Sequence, residues 1–297
     1  MIGDMKLTDL DHRPLIVATV TPLTEGGLGL DTDAIRPYVD FLESHGGDGA
    51  FVCGTTGEGV LLSLDERREA VAAFRHALSG ILIVHAGAQN TADTVALATH
   101  AAEAGADGVA VIPPPYFALD DDALTAHFVA AARACAPLPF YCYAFTARSG
   151  YPLPVAVIRR IDEAVDNLAG LKVSESPFER VEPYLDVGLP VLIGNEPLIA
   201  AGLARGAVGT VSGMSAAFPD VVREALDAGD EAAMERLQAV RGAMEASGQF
   251  IAAAKQVLGL RGIPVGRGMR APLRELTSDE AATLELAVNH VLERAPA

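Results

Sequence analysis

The chain has 297 residues, 50% of them hydrophobic, and a formal net charge of −17. That length suits a single α/β barrel of about 250 residues or more. The only adjacent basic pairs are Arg67-Arg68 and Arg159-Arg160, so the clustered cations that a nucleic-acid surface needs are missing.

Three cysteines, Cys53, Cys135 and Cys142, form no Cys-x-x-Cys pair and argue against a disulfide framework. Reduced thiols point to a cytoplasmic protein. Residues 1–14 are polar and carry Asp4, Asp9 and Asp11, which does not read as a signal peptide. No apolar run reaches the roughly 18 residues of a membrane span.

In chain order, eight short β-rich runs are expected at 16–20, 50–53, 81–85, 108–112, 140–143, 168–173, 191–193 and 208–211. Helical periodicity fills most of the gaps, for example at 33–44, 65–78, 91–104 and 154–164. A related joint recurs as Gly46-Gly47-Asp48-Gly49, Gly105-Ala106-Asp107-Gly108 and Gly206-Ala207-Val208-Gly209. A Gly there supplies a left-handed helix cap before the next strand. Strand and helix alternating eight times predict parallel β with helical crossovers. The expected fold class is α/β, a (β/α)₈ TIM barrel over 1–228 with a C-terminal helical extension over 229–297. A doubly wound open sheet is the competing fold, but no Gly-x-Gly-x-x-Gly turn supports it. The last part of the chain reads as helices at 220–228, 231–246, 249–258 and 278–293, with a Gly- and Pro-containing loop from 262.

In such a barrel the site lies at the C-terminal ends of the strands. Strand two ends in Gly54-Thr55-Thr56-Gly57-Glu58. Glycines let backbone approach a ligand, and the hydroxyls and N–H groups suit a carboxylate. A plain Thr-capped turn is the competing reading. Strand five ends at Tyr143, with Arg148 shortly after. The phenol can relay protons and the guanidinium can grip a carboxylate, or Tyr143 is a core residue and Arg148 a surface ion-pair partner.

Strand six carries Lys172. The chain has 19 Arg and only Lys6, Lys172 and Lys255, so its surface cations are nearly all Arg. A Lys retained inside an apolar strand offers what Arg cannot, an amine that loses its proton when desolvated and attacks a carbonyl. The competing reading is a Lys that snorkels to the rim. Pleat alternation puts Lys172 and Ser174 on one face, Leu171 and Val173 on the other. Gly194 and Ser212, at the ends of strands seven and eight, are further substrate-binding candidates. His85 and Gln89 stand at the end of strand three, where a structural role is the simpler reading. The seven His residues show no metal-binding spacing. Asp120–Asp122 reads as the acidic start of a helix. Pro113–Pro115 stiffen the loop that carries Tyr116.

Together these strand ends resemble the dihydrodipicolinate synthase / N-acetylneuraminate lyase family of class I Schiff-base enzymes, over nearly the whole chain. Gly54-Thr55-Thr56-Gly57-Glu58 looks like the family's carboxylate loop. Arg148-Ser149-Gly150 follows Tyr143 at the family's spacing, and Gly170-Leu171-Lys172 looks like its Schiff-base segment. The resemblance implies Lys172, Tyr143, Thr55 and Tyr116 as catalytic residues. Gly54, Thr55, Thr56, Arg148, Ser174, Gly194 and Ser212 would bind substrate. It also implies a small 2-oxo acid partner, no metal or diffusible cofactor, and a homo-oligomer. The chain departs from the family's pattern at Ala144-Phe145-Thr146 after the Tyr, at Val173 after the Lys, at Asn195-Glu196 after strand seven, and in having Tyr116 alone in the loop. These departures favour an aldolase, lyase or dehydratase, with the synthase as the alternative. A non-catalytic 2-oxo acid binder would not need Lys172 and Tyr143 together, and a phosphate-binding barrel would need a fuller Gly-rich nest after strands seven and eight.

Overall fold

All eight apolar runs become strands because both of their faces are covered, as parallel sheets require. A computed structural model describes residues 7 and 10–292. Its strands are β1 Leu15–Ala18, β2 Gly49–Val52, β3 Ile81–His85, β4 Gly108–Val111, β5 Phe140–Ala144, β6 Leu168–Val173, β7 Val191–Ile193 and β8 Gly209–Ser212. Each pairs in parallel with the next, and β8 returns to β1 through Leu15↔Thr210 and Ile16↔Val211, so the sheet is a closed barrel. That closure excludes the open doubly wound sheet.

The helices are α1 Ile35–Ser44, α2 Leu64–Ala77, α3 Thr91–Glu103, α4 Asp121–Cys135, α5 Thr146–Ser149, α6 Val155–Ala164, α7 Glu182–Leu185, α8 Ile199–Ala204, α9 Pro219–Ala228, α10 Glu231–Glu245, α11 Phe250–Leu260 and α12 Ser278–Leu292. Their starts follow local chemistry. The Ser63 hydroxyl accepts from the Glu66 N–H while the Glu66 carboxylate accepts from the Ser63 N–H, a capping box worth about 1 kcal/mol. Asp120 caps α4 by accepting from the Ala123 N–H at 2.8 Å, as the acidic cluster predicts. Gly46, Gly105 and Gly206 have φ of 89°, 76° and 96°, the left-handed joints expected before β2, β4 and β8.

Several boundaries differ from expectation. β2 stops before Cys53 because Cys53 turns left-handed at φ 58°. β4 stops before Ile112, because Pro113–Pro115 bring no N–H to continue the ladder. The crossovers after β6 and β7 hold a 3₁₀ turn followed by α7 and α8, each shorter than a full barrel helix. Of the N-terminal segment 1–14, residues 1–6, 8 and 9 lie outside the described residues. So does the expected end of the last helix at Glu293.

Pleat alternation divides the apolar side chains into two cores. Leu171, Val173, Val109 and Val111 pack outward against the helices. Ile16, Phe51, Ile83, Tyr141, Tyr143 and Leu192 fill the interior of the barrel. Among the described residues, no helix is long and apolar enough to cross a membrane.

Candidate active site

In the β5–β6 register Tyr143 stands directly across from Lys172. Because Leu171 and Val173 face the helices, Lys172 faces the interior. Its Nζ lies 3.8 Å from the centroid of the Phe51 ring and 4.2 Å from that of Tyr143. The residue is 4% exposed. Burial pulls its amine down from 10.5 to about 7, and the Glu196 carboxylate pulls weakly the other way. A substantial share of the amine is therefore unprotonated at neutral pH, the state a nucleophile needs. Snorkelling is excluded, since the ammonium does not reach bulk water.

The Tyr143 phenol is pushed up by burial, and the hydroxyls of Ser174 and Thr55 act against this as its hydrogen-bond partners. Arg148 and Glu196 add opposing charge effects. Phenol, two hydroxyls and amine thus line one cavity, with the amine over the Phe51 ring.

The cavity has a volume of about 540 Å³. Thr55, Thr56, Tyr143, Arg148, Lys172, Ser174 and Gly194 all line it, as the strand-end reading expects. Gly194 has a steric reason to be Gly, because a Cβ there would collide with Ser174 Oγ. The Arg148 guanidinium is exposed and lies 5.7 Å from the Phe145 ring centroid. Its short helix α5 is held by Glu175, whose carboxylate accepts from the Thr146 N–H at 2.7 Å and hydroxyl at 2.9 Å.

Three expected residues do not line the cavity. Gly54 is packed beneath the turn, where a Cβ would press on the Phe51 ring at 2.5 Å. Ser212 is fully buried and donates to Glu196 Oε1 at 2.8 Å, so it reaches the site only through that carboxylate. Tyr116 is 86% exposed at φ 85°, with its ring against Phe117 rather than over the cavity of its own chain. His85 does not line the cavity either; its Nδ1 lies 3.1 Å from the Cys53 carbonyl and burial depresses its basicity to about 3. Among the described residues, no group of three or more His, Cys, Asp or Glu could hold a metal ion.

Sequence reasoning missed one wall of the cavity. Arg241 of α10, Gln249, and Phe250 and Ile251 of α11 line it, as do Met269 and Leu273. Arg241 Nη1 donates to Asn195 Oδ1 at 2.9 Å and lies 3.7 Å from Glu196 Oε2. Glu196 Oε1 also accepts from the Met214 N–H at 3.1 Å. One signal was available in the Ser247-Gly248 break between the helices, where Gly248 turns at φ 67° and aims the start of α11 at the mouth.

The dihydrodipicolinate synthetase family model matches residues 11–291. An uncharacterized DapA-like lyase of Halobacterium salinarum is 36% identical over 283 residues, 91% of each chain. A 4-hydroxy-tetrahydrodipicolinate synthase of Corynebacterium aurimucosum is 33% identical over 94% of this chain and 93% of its own. The structure of N-acetylneuraminate lyase from Proteus mirabilis superposes with a TM-score of 0.85 at 29% identity, covering 94% of this chain and 98% of the other. With the closed barrel and an amine of lowered basicity at its mouth, these matches place the chain in the dihydrodipicolinate synthetase family, a family of lyases built on the class I aldolase barrel.

Proposed function

We propose that the protein makes or breaks a bond next to the keto group of pyruvate or another small 2-oxo acid, held as a Schiff base on Lys172. The observation that carries this reading is the Lys172 amine itself, buried in the barrel with its basicity lowered to about 7 and a phenol directly across the strand pair. Thr55, Thr56 and the N–H groups of their turn receive the substrate carboxylate. The free amine attacks the keto carbon. Amine, carbonyl and one proton give an iminium and water. The iminium then accepts the electron pair released when the adjacent carbon loses a proton or a carbon–carbon bond breaks. Tyr143 carries the proton, with the Thr55 and Ser174 hydroxyls as its partners. This chemistry needs no metal or diffusible cofactor.

Cleavage, or loss of water at the adjacent carbon, is the favoured outcome. Condensation of pyruvate with aspartate semialdehyde is the second reading, and the exposed Arg148 guanidinium at the cavity favours it by offering a grip for a second carboxylate. The exposed Tyr116–Phe117 pair supports assembly into a homo-oligomer.

The test is borohydride reduction in the presence of pyruvate, then mass measurement of the peptide that contains Lys172. A mass increase equal to the reduced adduct supports the reading. An unmodified peptide with pyruvate and with a panel of longer 2-oxo acids would overturn it.

A further inference from the structure

Two of the three lysines lie among the described residues, and the second, Lys255, is 0% exposed yet takes no part in the cavity. Its Nζ donates to Glu58 Oε1 at 2.6 Å and to the Gly268 carbonyl at 2.7 Å. The other Glu58 oxygen accepts from the Arg270 backbone N–H at 2.7 Å. Both side chains of this ion pair are 0% exposed.

Glu58 is the last residue of the Gly54–Glu58 turn and adopts φ 56°, ψ 21°, a conformation that costs a non-Gly residue about 1 kcal/mol or more. The turn has little freedom elsewhere. Thr21 Oγ1 donates to the Gly57 carbonyl at 2.7 Å, and a Cβ on Gly59 would run into the Cys53 carbonyl. At the other end of the pair, Lys255 lies one helical turn beyond Ala252, and Ala252 lines the cavity. The strap that carries Gly268 and Arg270 also carries Met269 into the cavity. It lies on backbone at both neighbours: a Cβ on Gly268 would strike the Thr24 carbonyl, and one on Gly27 the Met269 carbonyl. The Arg270 side chain pairs with Glu66 on α2.

We infer that Glu58 and Lys255 are positioning residues that lock the twin-threonine turn to α11 and the 262–273 strap, so that the C-terminal extension sets the height of the carboxylate-binding groups above Lys172. A buried ion pair is an uncertain source of stability, because desolvating both charges offsets their attraction, and apolar replacements often fold equally well. Its effect here is geometric. One carboxylate accepts hydrogen bonds from two separate segments and fixes their spacing, and a misplacement of about 1 Å can cost up to ~100-fold in reactivity. The inference rests on the reading of Thr55 and Thr56 as the carboxylate site.

The double variant Glu58→Gln/Lys255→Met separates geometry from stability. The Gln oxygen still accepts from the Arg270 N–H, and Met fills the volume of the Lys stem. With the variant folded by circular dichroism, the pyruvate concentration that gives half-maximal borohydride trapping at Lys172 should rise about tenfold or more. Trapping at saturating pyruvate should stay within about threefold of the parent, since Lys172 and Tyr143 sit on strands that the pair does not touch. Half-maximal trapping at the parent concentration would overturn the positioning role while leaving the Lys172 chemistry intact. Absence of trapping in the parent protein would instead overturn the Schiff-base reading. A second measurement covers a variant that fails to fold. In the parent protein, pyruvate should slow hydrogen exchange at the Arg270 amide and along 255–260, none of which lines the cavity. Protection confined to the 54–62 turn would refute the coupling.

Discussion

Replacing Lys172 by Met should end turnover and make the barrel more stable. The ordinary 10.5 of a lysine falls to about 7 here, mainly through burial. At ~1.4 kcal/mol per tenfold in proton affinity, the folded state carries a cost of about 5 kcal/mol when this amine is charged. Below about pH 7 the amine is protonated in folded and unfolded chains alike, and the whole cost is present. Between about pH 7 and 10.5 the unfolded chain holds a proton that the folded chain lacks, so stability rises with pH. Above that window both forms are neutral and the cost is gone. Met has similar length and no charge. The stability gap, variant over parent, should therefore be about 4 kcal/mol at pH 7, shrinking by ~1.4 kcal/mol per pH unit towards zero near 10.5. Urea unfolding of both proteins across this range measures the gap, with unchanged slopes showing that the unfolded ensembles match. A gap that does not vary with pH, or a Met variant less stable than its parent at pH 7, would refute the account of a desolvated amine.

The same amine should govern the rate. The second-order rate constant kcat/KM should climb as pH rises through about 7, and a flat profile on either side of that value would remove the free-amine requirement. Tyr143→Phe should still allow pyruvate trapping on Lys172 but slow the later steps by about 10²–10⁴-fold, which single-turnover kinetics resolves. Arg148→Gln should raise KM for a substrate with a second carboxylate and leave pyruvate trapping unchanged, and equal effects on both would rule out a distal anion grip. Gly194→Ala drives a Cβ into Ser174 Oγ. Overpacking of this kind costs about 1–3 kcal/mol, and it should also weaken the hydroxyl's contact with Tyr143, read as a lower unfolding midpoint together with a slower proton-transfer step.

The barrel was legible because periodicity is local. Runs such as 81–84 and 191–193 are apolar throughout, since both faces of a parallel strand are buried, and the Gly joints at 46, 105 and 206 repeat for one steric reason. The strand-borne half of the site was legible for a related cause. Alternation along β6 fixes which way Lys172 points once Leu171 and Val173 are known to face the helices. What escaped was non-local. Beyond the Ser247-Gly248 break, nothing in 241–273 announces that Arg241, Phe250 and Met269 line one cavity, because that depends on how α10 and α11 pack. Glu58 and Lys255 were invisible as a pair for the same reason. They are 197 residues apart, and each alone reads as an ordinary charge. Ser212 shows the opposite error, a strand-end hydroxyl on the helix-facing side of β8 that serves Glu196 instead of facing the opening.

The two halves of the cavity are fastened in different ways, and this bears on how such a protein diversifies. Lys172 and Tyr143 hang from backbone gripped by a strand on either side, where any displacement breaks ladder hydrogen bonds. Arg241 hangs from α10, a helix held largely by side-chain packing, which can tilt or change sequence without such a penalty, and Gln249 lies in the link between it and the Lys255-anchored α11. Preference for one acceptor over another can drift on that helical flank while the bond-forming machinery opposite keeps its geometry.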